Sequence, residues 1–110
     1  MSGRRREFSF LIDDILKSAE KIVKLVEYSS FERFQDDWKG YDAVLRNLEI
    51  IGEAVKNLPQ EYKDVHPEIE WRKIAGLRDV IIHRYFGIDD FIIWDIVTNK
   101  IPVLIQVLSK

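Results

Sequence analysis

Residues 42–59 read DAVLRNLEIIGEAVKNLP, and the spacing of their apolar side chains decides the fold. Ala43, Val44, Leu45, Leu48, Ile51, Ala54, Val55 and Leu58 recur at steps of three and four, the register of an amphipathic helix rather than the strict alternation of a strand. Pro59, which has no N–H to give, stops the run. Gly52 sits inside it, where a glycine costs about 1 kcal/mol relative to alanine. It is therefore expected to permit the close approach of another helix.

The same register extends outward in both directions. Upstream, Phe8, Leu11, Ile12, Ile15, Leu16, Ala19, Ile22, Val23 and Val26 predict a first helix over 8–27, preceded by a flexible basic N-terminus at 1–7. In YSSFERF, residues 28–34, Ser29 or Ser30 can cap a short second segment around Phe31–Phe34. Downstream, QEYKDVHPEIE at 60–70 is polar, contains Pro67, and is expected to be a connection. A further helix is expected from Trp71 to Phe86, ended by Gly87. Asp89 or Asp90 can cap a last helix, whose apolar positions include Phe91, Ile92, Trp94, Ile96, Val97, Ile101, Val103, Leu104, Val107 and Leu108, with a kink or restart at Pro102. There is no internal repeat and no hairpin turn signal. The expectation is an all-α chain, an antiparallel up-and-down bundle of four to five helices in a single domain over 1–110.

Composition narrows the function. With 110 residues, 46% of them hydrophobic, the chain can bury one core. A charged fraction of 33% and a net charge of -2 describe an ordinary surface, so any nucleic-acid site must be local. No apolar run approaches the roughly 20 residues of a membrane span, and residues 1–8, MSGRRREF, lack the pattern of a signal peptide, so a cytoplasmic location without membrane contact is expected. The absence of cysteine excludes disulfides, thiolate nucleophiles and cysteine-ligated metals. His66 and His83 are the imidazoles, and neither lies in a metal-ligand spacing, so no metal is expected.

Residues 78–85, RDVIIHRY, concentrate the polar chemistry. On a helical wheel Ile74, Leu77 and Ile81 form one apolar stripe, with Trp71, Arg78 and Tyr85 on its flank. Asp79 and His83 are four apart and share another face, where a carboxylate–imidazole contact is open. Arg78 and His83 are five apart and point in different directions, so a site using both needs a distorted helix end or a second subunit. Arg72, Lys73, Arg78 and Arg84 against Asp79 form a basic island able to neutralise a few phosphates. Each residue also has a structural alternative. Arg72, Lys73 and Arg84 can be solvated helix formers, Arg78 can pair with Glu53, His83 can be a hydrogen-bonded structural residue, and Tyr85 can be a core-edge aromatic.

RDVIIHRY matches R-x-x-x-x-H-x-Y, and the chain resembles the HepT-like toxins of the HEPN superfamily. RNLEIIGEAVKNLP (46–59), PEIEWRKIAGLRD (67–79) and YFGIDDFIIWDIV (85–97) agree in order and spacing, so the likeness runs from Phe8 to Leu108. Asp79 departs from the commoner Asn, adding a negative charge that can tune His83. The resemblance implies a helical two-fold homodimer whose motif helices line one cleft, which resolves the five-residue offset. It implies a metal-independent endoribonuclease without a cofactor, in which the ribose 2′-hydroxyl attacks the adjacent phosphate. His83 is then general base or acid, Arg78 holds the phosphate and stabilises its transition state, and Tyr85 positions the phosphate or stacks on a base. It also implies an RNA substrate and, as partner, a minimal nucleotidyltransferase antitoxin that can adenylylate Tyr85. Anionic phosphates added beside Arg78 would block the cleft. The alternative within the same resemblance is a non-catalytic subunit that binds a nucleotide or docks the nucleotidyltransferase.

Overall fold

The computed structural model describes the backbone of residues 2–84 and 90–110 and the side chains of residues 7–82 and 90–110. Among the described residues the chain is helical throughout, without strands. The helices are α1 (Ser2–Val26), α2 (Phe31–Asp36), α3 (Trp38–Lys56), α4 (Gln60–Asp64), α5 (Trp71–Ala75), α6 (Leu77–Arg84), α7 (Asp90–Asp95) and α8 (Ile101–Leu108), with a π-helical turn, Ile96–Lys100, joining the last two.

α1 and α3 form the frame, because each carries a full-length apolar stripe. Phe8, Ile12, Ile15, Ala19 and Ile22 of α1 are buried with Val44, Leu48, Ile51 and Val55 of α3. Removing one such Ile or Leu side chain from water contributes about 1.5–3 kcal/mol. α8 packs on α1, and α5 and α6 pack on α3. Gly52 makes that second contact close, as expected: a Cβ there would lie 3.1 Å from the Ile74 carbonyl oxygen and 3.6 Å from Leu77 Cβ. α3 begins four residues before the apolar run, because the Asp37 carboxylate accepts from Gly40 N–H at 3.1 Å and caps the helix. Ser30 caps α2 in the same way, accepting from Arg33 N–H at 3.2 Å.

The structure differs from the expectation at several points. Residues 2–7, expected as a flexible tail, are helical and continue α1, since the arginines there are good helix formers and no proline intervenes. The connection at 60–70 contains α4, whose first turn follows Pro59. The single helix expected over 71–86 is two. Gly76 donates to the Arg72 carbonyl at 3.1 Å to close α5, but its ψ of 4° turns the chain out of helical register before α6 starts. Phe86, Gly87 and Asp89 lie outside the described residues. Asp90 is the first residue of α7, and its carboxylate accepts from the Tyr41 hydroxyl of α3 and from Gln35 Nε2 of α2.

Pro102 has the expected effect through a π-helical turn. Proline cannot donate to the carbonyl four residues back and its ring crowds that position. The backbone widens, and Ile101 N–H bonds to the Ile96 carbonyl five residues back. The buried row of this long helical stretch is Ile93, Val97, Ile101, Leu104 and Leu108, whereas Phe91, Ile92 and Val103, read from the sequence as apolar positions of the helix, are exposed. Asp90–Leu108, 19 residues, is long and apolar enough to cross a membrane, contrary to the expectation that no run approaches that length. Its buried row contributes to the core shared with α1.

Candidate active site

α6 is held by two side chains. Leu77 and Ile81, four apart and buried, point into the core, while Arg78 and Ile82 face one groove and Val80 another. Upstream, the Trp71 indole fixes the start of α5 by donating to the carbonyls of Lys63 and His66, both at 3.0 Å.

The first groove, of about 600 Å³, lies between α6, α1 and α3. Arg78 and Ile82 line it from α6, Leu11 and Asp14 from α1, and Glu49, Ile50 and Glu53 from α3. Arg78 is exposed, and among the described residues it forms no ion pair. Glu53 shares the groove but does not pair with it, so the ion pair offered by the sequence is absent. Three carboxylates, those of Asp14, Glu49 and Glu53, line the same groove as this guanidinium. The same lining includes Ile50 and Ile82, 40% and 44% exposed, two large apolar side chains open to solvent.

The second groove, of about 530 Å³, lies on the other side of α6 against α7, the π-helical turn and α8. Its floor is apolar, with Leu77 and Val80 facing Ile92, Ile96 and Val103. Three of its five charged side chains pair with one another: Glu70 takes Lys73 at 2.7 Å and Lys100 at 2.9 Å. Those two ammonium hydrogen bonds are the main reason the Glu70 carboxyl is lowered from 4.5 to about 2. The same contact raises Lys100 above its ordinary value.

The basic island of the sequence is therefore divided. Lys73 belongs to the second groove and is occupied by Glu70, whereas Arg78 belongs to the first. Arg72 on α5 and Asp79 on α6 are exposed and line neither groove. His83 and Arg84 are in the last turn of α6. Their side chains, and Tyr85 entirely, lie outside the described residues, as does the Asp79–His83 contact. α6 is one helix across Arg78 and His83, so five positions separate them by about 140° around its axis. Sequence reasoning missed Asp14, Glu49, Ile50 and Ile82. The available signal was Ile50, an isoleucine one position off a buried stripe.

A helical chain with an exposed arginine at the first residue of an R-x-x-x-x-H-x-Y segment, carried on a short helix over an α1–α3 frame, defines the class. This chain belongs to the HepT-like ribonuclease family: residues 15–110 match the family model described as Ribonuclease HepT-like. A Thermococcus cleftensis protein named "Probable ribonuclease HepT" is 44% identical over 100 residues, covering 91% of each chain. A Methanocaldococcus jannaschii protein named "Putative RNase MJ0127" is 44% identical over 98 residues, covering 89% of this chain and 81% of that one. No solved structure matches the chain.

Proposed function

We propose that this chain is a metal-independent endoribonuclease, the toxin of a toxin–antitoxin pair, and that its site forms where two copies meet. The observation that carries the reading is Arg78. It is an exposed guanidinium, free of ion pairs among the described residues, at the head of the family's motif. An arginine left unpaired by its own fold is available to a phosphate, which its planar fork binds by two parallel hydrogen bonds.

In this reading Arg78 holds the scissile phosphate and stabilises the charge of its pentacoordinate transition state. His83, the imidazole of the motif, takes the proton of the ribose 2′-hydroxyl as that oxygen attacks phosphorus. That proton is returned to the 5′-oxygen of the next nucleotide as its bond to phosphorus breaks, and a 2′,3′-cyclic phosphate remains. Tyr85 positions the phosphate or stacks on a base. The helical offset between Arg78 and His83 is met by a second copy placed about a two-fold axis, for which the exposed Ile50 and Ile82 of the same groove supply apolar contact area. A minimal nucleotidyltransferase antitoxin is the proposed partner and Tyr85 its target for adenylylation.

The purified protein is expected to cleave RNA in EDTA and leave cyclic or 3′-phosphate ends, with Arg78→Ala and His83→Ala both inactive. Full activity in both variants overturns the reading. Intact mass after co-expression with the antitoxin tests the partner, through a gain of adenylyl units that Tyr85→Phe removes.

A further inference from the structure

α2, six residues long, packs on α3 and on the start of α7. Phe31 meets the Phe91 ring edge-on at 5.5 Å, Phe34 packs on Trp94 at 5.3 Å, and Gln35 Nε2 donates to the Asp90 carboxylate at 3.3 Å. The same carboxylate accepts from the Tyr41 hydroxyl of α3. Tyr41 is 1% exposed and its ring stacks on Phe34 at 4.5 Å, so packing aims the hydroxyl at Asp90. The first residue of α7 is thus bonded by donors from two helices, 55 and 49 positions earlier in the chain. The chain is fixed in the core at Ile81 and fixed again at Asp90, and His83 and Tyr85 fall between these two points.

We propose that Asp90 is a positioning residue for RNA cleavage: bonded to Tyr41 and Gln35, it fixes the far end of the chain segment that carries His83 and Tyr85. The proposal rests on the ribonuclease reading and adds to it three residues outside the motif. Apolar burial, as of Ile93 on the same helix, is non-directional and sets the depth of α7 in the core. A carboxylate bonded to two donors is directional, and so fixes where along the helix the chain enters α7. A reacting group displaced by about 1 Å loses on the order of 100-fold in rate. The bonds at Asp90 therefore act on turnover, whereas affinity for the RNA is assigned to Arg78.

The test measures kcat and KM for RNA cleavage in EDTA, at a temperature where circular dichroism shows the proteins compared to be fully folded. They are the wild type, Tyr41→Phe, Asp90→Ala, Asp90→Asn and, as a control that loses core stability elsewhere, Ile15→Val of α1. Tyr41→Phe and Asp90→Ala are expected to lower kcat about 10- to 100-fold and to leave KM within about twofold. Asp90→Asn keeps an oxygen for the Tyr41 hydroxyl and should recover most of the rate lost in Asp90→Ala. Ile15→Val should keep the wild-type kcat. Should Asp90→Ala fail to fold, Tyr41→Phe decides, since it keeps the ring on Phe34 and removes only the hydroxyl. A wild-type kcat in Tyr41→Phe overturns the proposal and leaves Asp90 a structural residue. So does a loss confined to KM, an equal loss of kcat in Ile15→Val, or dissociation of Tyr41→Phe to monomers in sedimentation where the wild type is dimeric. Arg78→Ala and His83→Ala separate the two levels. If both keep full activity, the ribonuclease reading fails and the positioning role falls with it. If both are inactive while Tyr41→Phe turns over like the wild type, only the positioning role is lost.

Discussion

The two grooves on either side of α6 use charge in opposite ways. On the α7–α8 side, Glu70 is bonded to Lys73 and Lys100 and the remaining lining is largely apolar. On the α1–α3 side, Arg78 and three carboxylates share a groove without pairing. A surface that satisfies its own charges has little left for a ligand, whereas unpaired groups of both signs keep their hydrogen-bonding capacity for one. The same short helix carries both faces, so the comparison is independent of how the rest of the chain is built.

The largest expected effect is on catalysis. Arg78→Ala should lower the rate of RNA cleavage by about 100-fold or more, with no change in melting temperature. Lys73→Ala, five residues earlier and on the other side, should leave the rate within about twofold. Initial rates in EDTA check both, and equal losses in the two variants would erase the distinction between the grooves.

Smaller effects concern the scaffold that separates them. Gly52→Val brings a branched side chain against the Ile74 carbonyl and should cost about 1–3 kcal/mol in chemical denaturation, because α5 and α6 must move off α3. Tyr41→Phe removes the hydroxyl bonded to Asp90 while keeping the ring stacked on Phe34. It should cost about 1.5 kcal/mol, read in the same way. A loss well below that would mean α7 is held chiefly by Ile93 and by the rings and Gln35 of α2.

The smallest effect is that of the paired charges. The Glu70 carboxyl is lowered in the folded protein to about 2 from 4.5, so its contribution to stability is complete above the ordinary value and disappears as pH falls from there through about 2. Lys100 is raised, so its share is complete below its ordinary value and is lost as pH climbs through the higher folded one. Both groups are exposed and screened by solvent. Glu70→Gln should therefore lower the melting temperature only slightly at neutral pH, and the difference from wild type should vanish in strong acid. A difference that persisted unchanged at low pH would assign the effect to packing.

Much of the scaffold was legible because it depends on periodicity. The stripes of α1 and α3, the buried Leu77 and Ile81, the close approach at Gly52 and the disturbance at Pro102 all follow from local rules acting on apolar spacing and backbone chemistry. The break at Gly76 was not legible, since Ile74, Leu77 and Ile81 keep helical spacing across it. Ile93, fully buried, was passed over for its exposed neighbours Phe91 and Ile92, because a run of adjacent apolar residues does not say which one faces inward. The site was legible as a segment and not as a neighbourhood. Arg78 stood out in the sequence, but Asp14 and Glu49 reach its groove only through the packing of α1 and α6 on α3. A count of basic residues likewise joined Lys73 to Arg78, although they lie on α5 and α6, on either side of the break at Gly76.

The central claim, that Arg78 and His83 from two copies build one site, is tested most directly by mixing the inactive variants. Arg78→Ala and His83→Ala subunits are unfolded together at equal concentration, refolded, and assayed for RNA cleavage in EDTA. Each mixed dimer retains an intact Arg78 on one chain and an intact His83 on the other. The mixture should therefore recover roughly a quarter of wild-type activity, where neither variant refolded alone has any. Mixed dimers that form, as shown by native mass spectrometry, yet cleave no RNA would contradict it.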